Sequence, residues 1–167
     1  VGWATPEGVS HDRRHPLAVQ AAAYDLWAAS QQRSIQRLQG VHDDLVDVVK
    51  RAFEITPQPF IVTEGLRTVS RQKQLVAAGA SKTMRSRHLT GHAVDLAAFI
   101  DLDGDGQKDL NESIRWDWPL YYKLAEAMRL AGEELDVPIE WGGNWRLLNG
   151  NGPVKEGDLA QFADGPH

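Results

Sequence analysis

The run Ser86-Arg87-His88-Leu89-Thr90-Gly91-His92-Ala93-Val94-Asp95-Leu96 constrains this chain more than any other stretch. It is too interrupted to be one helix, because Thr90-Gly91 breaks it. Asp95 opens directly onto the apolar run Leu96-Ala97-Ala98-Phe99-Ile100, which reads as a buried strand over 93–100. A polar turn that feeds a core strand needs a sheet to receive it. Imidazole nitrogen and carboxylate oxygen are also ligands that zinc takes in catalytic sites. A metal-binding turn at the head of a core strand is therefore the first expectation.

The two histidines do not form the helical pair of a His-Glu-x-x-His zinc site. Leu89 rather than glutamate follows His88, and no acid lies between His88 and His92. His88 with Asp95 is the better pair, joined by a turn in which Gly91 permits a tight backbone path. A catalytic zinc takes three protein ligands and keeps one position for water. His167 is a candidate for the third. Asp164, separated from it by Gly165-Pro166, could stand beside the water as a proton acceptor without ligating. His11, His15 and His42 read as surface or hydrogen-bonded residues.

The chain has 167 residues, enough for one domain with a substantial core, and no cysteine, which excludes disulfides and thiolate chemistry. The net charge of −5 argues against nucleic acid as a partner. Most of that charge lies in one loop, 101–112, with five carboxylates and one lysine. No apolar run reaches the length of a membrane span and no signal peptide is visible, although a start at Val1 leaves a removed leader open.

The remaining segments predict an α+β domain, a small antiparallel sheet with packed helices. Residues 1–14 read as an arm. Helices are expected over 17–29 and 32–38, and a third opens at His42-Asp43-Asp44, with Leu45, Val48, Val49 and Phe53 on its buried face and Lys50-Arg51 near its end. A strand over 60–63 precedes a helix over 69–78 closed by Gly79. A long helix is expected from Pro119 to Leu135, burying Leu120, Leu124, Ala127, Leu130 and Ala131, and a further strand over 137–141. Residues 149–157 read as a loop. Trp116, Trp118, Trp141 and Trp145 are expected to pack in the core or line a cleft. The organisation expected is an N-terminal arm and helix over 1–33, then one domain over 34–167.

The acidic loop matches a twelve-residue EF-hand calcium loop. Asp101, Asp103, Asp105, Asp109 and Glu112 stand at ligand positions, Gln107 offers its backbone carbonyl, and Gly106 makes the sharp turn. Lys108 is unusual at its position, and a strand rather than a helix leads in. The segment resembles an EF-hand calcium loop inserted into another fold and is expected to be loose without the cation.

Ser86-x-His88-x-x-Gly91-x-Ala93-x-Asp95-Leu96, with Asp164-x-Pro166-His167, resembles the D-alanyl-D-alanine metallopeptidase family, and within it the phage L-alanyl-D-glutamate endopeptidases. The likeness extends over 34–167, and Glu64-Gly65-Leu66-Arg67-Thr68, Trp116-Asp117-Trp118-Pro119 and Trp141-Gly142-Gly143 are further matches. The resemblance implies the fold shared by hedgehog proteins and these peptidases, with zinc held by His88, Asp95 and His167 and Asp164 as general base. It implies that Arg67 stabilises the oxyanion, where a helix-entry salt bridge is the plainer use, and that Ser86 positions substrate, where capping a turn is the plainer use. His92 falls at a variable position. Asn144 stands where the family has aspartate, and relatives continue past the position of His167, so a trimmed chain is expected. The implied activity is hydrolysis of bacterial peptidoglycan stem peptides by a monomer acting at the cell wall or periplasm, phage-encoded and released from the host cytoplasm. The alternatives are a D-alanyl-D-alanine carboxypeptidase on the same scaffold and a non-catalytic, calcium-dependent wall-binding module.

Overall fold

The computed structural model describes residues 2–5, 32–99 and 114–154. In chain order the elements are β1 (Gly2–Ala4), α1 (Gln32–Leu38), α2 (Asp43–Ile55), β2 (Phe60–Glu64), α3 (Val69–Ala77), a 3₁₀ turn (Arg87–Thr90), β3 (Ala93–Phe99), β4 (Ile114–Arg115), α4 (Trp118–Glu134), β5 (Glu140–Trp141) and β6 (Arg146–Leu147). The strands form one antiparallel sheet in the order β2-β3-β1-β5-β6, and β4 pairs with the far end of β3 at Ala98 and Phe99. The α+β architecture expected from the sequence is the one observed. The helix expected over 17–29 and the loops 101–112 and 155–157 lie outside the described residues.

β3 is the axis of the sheet, and successive side chains take opposite faces. Val94, Leu96 and Ala98 join the main core with Val62, Phe60 and residues of α2 and α4. Ala97 and Phe99 pack with Ile61 in a smaller cluster, and Asp95 shares their face by its register. The outer edge of β2 is covered by α1. Ser34 Oγ accepts from the Val62 N–H at 3.2 Å, and Arg37 Nη1 donates to the Val62 carbonyl at 3.0 Å. Both exposed backbone groups of that residue are thereby satisfied, which removes an edge open to pairing.

The first residues are not a free arm. Gly2–Ala4 forms a strand between β3 and β5, with Trp3 opposite Val94 on one side and Trp141 on the other. Trp3 is 1% exposed. Three residues give no periodicity to read, so the burial of the tryptophan is what holds this strand in place.

Local signals set the helix ends. His42 caps α2, its Nδ1 accepting from the Asp44 N–H at 3.2 Å, and Asp43 and Asp44 stand in the positive first turn. α2 continues to Ile55, so Lys50 and Arg51 fall short of its last turn. Arg51 instead bridges to Glu54 at 2.6 Å and to Glu134 of α4 at 2.7 Å. Leu45, Val48, Val49 and Ala52 are buried, with Phe53 only partly so. Thr68 caps α3 by accepting from the Arg71 N–H at 3.1 Å.

α4 buries Tyr121, Leu124, Ala125, Ala127, Met128 and Ala131, whereas Leu130 is 43% exposed. Of the expected stripe, Leu124, Ala127 and Ala131 are buried and Leu120 packs partly buried against the core, so only Leu130 departs from it. Tyr121 is fully buried because its hydroxyl is satisfied by the Ala98 N–H at 3.2 Å. Of the tryptophans, Trp141 is fully buried against Trp118 and Tyr122, while Trp116 and Trp145 are 40% and 62% exposed.

Arg129 locks the chain after β6 to α4. It bonds Glu126 at 2.5 and 2.9 Å and Glu133 at 2.8 Å, and these carboxylates accept from the Val154 and Gly150 N–H groups at 2.9 and 2.8 Å. Burial pushes the Glu126 pKa up, but Arg129 and the Val154 amide outweigh it and the net shift is down. The stabilisation is therefore present above the ordinary glutamate pKa and is lost as pH falls through the lowered one. Glu126→Gln is expected to cost about 1 kcal/mol at neutral pH, with the gap in thermal midpoint closing below about pH 4. A gap that stays constant down to pH 3 in melting curves would remove this account.

Candidate active site

The Ser86–Asp95 segment turns on itself between α3 and β3. Ser86 caps the 3₁₀ turn, its hydroxyl accepting from the His88 N–H at 3.3 Å. Gly91 closes the turn at φ 76°, and a β-carbon there would lie 2.4 Å from the Gly40 carbonyl oxygen. Both the left-handed backbone and the close approach require glycine. The Gly91 carbonyl in turn accepts from the His42 N–H at 2.8 Å, tying the turn to the start of α2.

This path brings His88 onto Asp95. His88 Nε2 lies 3.3 Å from Asp95 Oδ2, and His88 Nδ1 lies 2.7 Å from the Gly65 carbonyl. A carbonyl only accepts, so Nδ1 carries the hydrogen and Nε2 is the nitrogen turned toward Asp95. On the facing strand the register of β2 against β3 shifts between Val62 and Glu64, which sets Glu64 opposite Asp95. Thr63 Oγ1 donates to the Asp95 carbonyl at 3.2 Å.

Arg67 completes the cluster. Its Nε and Nη2 donate to the two Glu64 oxygens at 2.9 and 2.6 Å, and Nη1 donates to Gln72 Oε1 at 2.8 Å. Nη2 also lies 3.6 Å from Asp95 Oδ2. The Arg67 N–H donates to the His88 carbonyl at 2.9 Å, so the two turns are bonded through their backbones as well. The helix-entry salt bridge foreseen for Arg67 is present, and so is the turn-capping bond foreseen for Ser86.

The charges are strongly coupled. Burial opposes charge on His88, yet contact with the Asp95 carboxylate outweighs it and the imidazole pKa is raised. Burial likewise pushes Asp95 up, and the His88 contact, aided by Arg67, brings it below the ordinary carboxylate range.

A tetrahedral zinc with bonds of about 2.0–2.1 Å sets two of its ligand atoms about 3.3–3.4 Å apart. The separation of 3.3 Å between His88 Nε2 and Asp95 Oδ2 fits that edge. It is long for a charge-assisted hydrogen bond, which runs to about 2.9 Å. The Gly65 carbonyl on Nδ1 is the outer contact that metal-bound histidines commonly make. Among the described residues no third histidine or carboxylate joins these two as a ligand group. His167 and Asp164 lie outside the described residues, as do the calcium-loop residues Asp101, Asp103, Asp105, Gln107, Asp109 and Glu112.

His92 is turned elsewhere. Its ring stacks on His42 at 5.0 Å and its Nδ1 pairs with Thr90 Oγ1 at 3.0 Å. Asn144 accepts from the Arg146 N–H at 3.1 Å inside the turn joining β5 to β6, a contact aspartate would make equally well. Sequence reasoning did not single out the Gly65 carbonyl, Glu64 or Gln72. Glu64 had one signal, its position three residues before Arg67 on the same turn; Gln72 had none.

The fold and this paired turn define a class, and comparison with known proteins gives the same one. The family of phage L-alanyl-D-glutamate peptidases matches residues 28–167, and the chain belongs to that family. Among its relatives is the L-alanyl-D-glutamate peptidase of Escherichia phage T5, 31% identical over 137 residues, covering 80% of this chain and 91% of that protein. The L-alanyl-D-glutamate peptidase of Listeria phage A118 is 28% identical over 107 residues, covering 64% of this chain and 28% of that longer protein. The crystal structure of the Serratia marcescens L-Ala D-Glu endopeptidase ChiX superposes with a TM-score of 0.58 at 44% identity, covering 68% of this chain and 78% of that one.

Proposed function

We propose that this chain is a zinc-dependent peptidoglycan endopeptidase that cleaves stem peptides at the L-alanyl-D-glutamate bond. The bond choice is supported by family membership and by the relatives' activities. The metal dependence is supported by one observation above others. A histidine nitrogen and a carboxylate oxygen stand 3.3 Å apart, with the opposite ring nitrogen already engaged.

In this reading His88, Asp95 and His167 would hold the metal. Bound there, zinc would supply a water whose pKa is lowered toward about 7 and a Lewis acid for the scissile carbonyl. The residues of the chain do the rest. Gly65 fixes the tautomer of His88. Asp164 takes the proton of the attacking water and returns it to the leaving amine nitrogen. Arg67 presents a guanidinium to the developing oxyanion, held in place before the reaction begins. Ser86, at the mouth of the turn, orients the substrate peptide. The site of action is the bacterial cell wall; among the described residues no helix is long and apolar enough to cross a membrane.

The test is to strip the protein with a chelator, digest purified peptidoglycan with the stripped and zinc-restored forms, and identify the new chain ends. Hydrolysis should return with zinc and expose an amino terminus on D-glutamate. Full activity in the stripped protein denies the metal, and release of D-alanine denies the bond choice. The loop 101–112 is proposed to take calcium as a structural or regulatory ion. Unchanged calcium binding after Asp101 and Glu112 are both neutralised would deny it that role.

A further inference from the structure

Gln72 is the one described residue of α3 that is buried, and none of its surface is exposed. A buried amide is costly unless its polar atoms are paired, and an apolar residue would fill the same space without that demand. Here both ends are paired. Oε1 accepts from Arg67 Nη1 at 2.8 Å, while Nε2 donates to Ser81 Oγ at 2.9 Å and to the Thr83 carbonyl at 2.6 Å. The amide cannot be reversed, since that would set an N–H against the guanidinium and an oxygen against a carbonyl.

We propose that Gln72 is the positioning residue for Arg67, an inference that rests on the oxyanion role given to Arg67 above. Glu64 grips the Nε and Nη2 edge of the guanidinium, and Gln72 grips Nη1, so the two residues hold the plane of the fork from different sides. Gln72 does so with a neutral oxygen. Arg67 already faces two carboxylates, Glu64 and Asp95, and a third would cancel the positive charge the reaction uses. The other end of the amide ties the same arginine to the 81–83 segment, which leads to Ser86. One side chain thus sets the distance between the oxyanion residue and the approach to the metal turn.

Gln72→Leu keeps the volume and removes the grip. In the zinc-loaded enzyme acting on a soluble L-alanyl-D-glutamyl peptide, kcat is expected to fall about 10- to 100-fold with little change in KM. Zinc content should be unchanged. In the double variant with Arg67→Ala, kcat should be no lower than in Arg67→Ala alone. A second readout does not use activity: hydrogen exchange at Arg67 Nη1, the nitrogen bonded to Gln72, followed by NMR, should accelerate about tenfold or more in Gln72→Leu. Gln72→Glu keeps an acceptor against Nη1 and should retain slow exchange even where kcat falls.

If Arg67→Ala slows the enzyme but Gln72→Leu does not, or if the two losses multiply, Gln72 does not act through Arg67. If Arg67→Ala leaves kcat unchanged, the oxyanion role has failed instead, and exchange at Arg67 Nη1 alone decides whether Gln72 holds the side chain. Equal exchange in wild type and Gln72→Leu overturns the proposal in either case.

Discussion

His88→Ala is expected to abolish zinc retention and to lower peptidoglycan hydrolysis by about a thousandfold or more. The imidazole occupies the centre of the cluster: Nδ1 is bound to the Gly65 carbonyl and Nε2 faces Asp95. Removing it takes away one of the two proposed ligands within the described residues and the group that holds Asp95 low in pKa. Arg67, 3.6 Å from the same carboxylate, then becomes the nearest partner for Asp95, and the two should close into a salt bridge that competes with any returning metal. The comparison variant is His92→Ala. His92 stacks on His42 and pairs with Thr90, so that protein should still hold one zinc and hydrolyse the wall. Elemental analysis of both purified variants beside a turbidity assay decides it. Stoichiometric zinc in His88→Ala, or equal loss in both variants, would remove His88 from the site.

The pairing of His88 with Asp95 was legible in the sequence because it rested on chemistry and spacing, whereas His92 was set aside only by the family resemblance. His88, Gly91 and Asp95 are local, and a turn of this length has few ways to bring His88 onto Asp95. α2 and β3 were equally readable, since apolar residues at helical spacing or in an unbroken run declare their own element. The parts that were misread depend on partners far away in the chain. Gly2–Ala4 has no period, and only Trp141, which it pairs across β1 and β5, makes Trp3 a core residue. The buried stripe of α4 turned on Tyr121, whose hydroxyl becomes acceptable in the core only because the Ala98 N–H in β3 reaches it. Lys50 and Arg51 were assigned to a helix dipole, but α2 runs one turn further and Arg51 answers to Glu134 on another helix. Gln72 was invisible for the same reason: its meaning lies in Arg67, Ser81 and Thr83 rather than in its own helix.

Gly65→Ala is the second large effect expected, and it would test whether the metal turn is built from behind. A β-carbon at Gly65 would lie 2.0 Å from the Arg37 carbonyl oxygen and 2.7 Å from Val41 Cγ2. The first of these is backbone at the end of α1 and cannot swing aside. Either α1 moves off the edge of β2, losing the Ser34 and Arg37 bonds to Val62, or the turn after β2 moves the other way. The second course carries the Gly65 carbonyl away from His88 Nδ1 and frees the ring to rotate. Overpacking of this kind costs about 3 kcal/mol, or a fall of about 6–12 °C in thermal midpoint for a domain of this size. Loss of the outer hydrogen bond on a ligating histidine should weaken zinc binding by about 10- to 100-fold. Gly79→Ala separates the two causes. Gly79 also has a positive φ, 76°, but nothing lies within 4 Å of its β-carbon position. Its alanine variant should pay only the backbone cost of about 1–2 kcal/mol and bind zinc as the wild type does. The paired measurement is calorimetric melting of the metal-free proteins with a competitive zinc titration. Wild-type zinc affinity in Gly65→Ala would mean that the tautomer of His88 is held by something other than the Gly65 carbonyl.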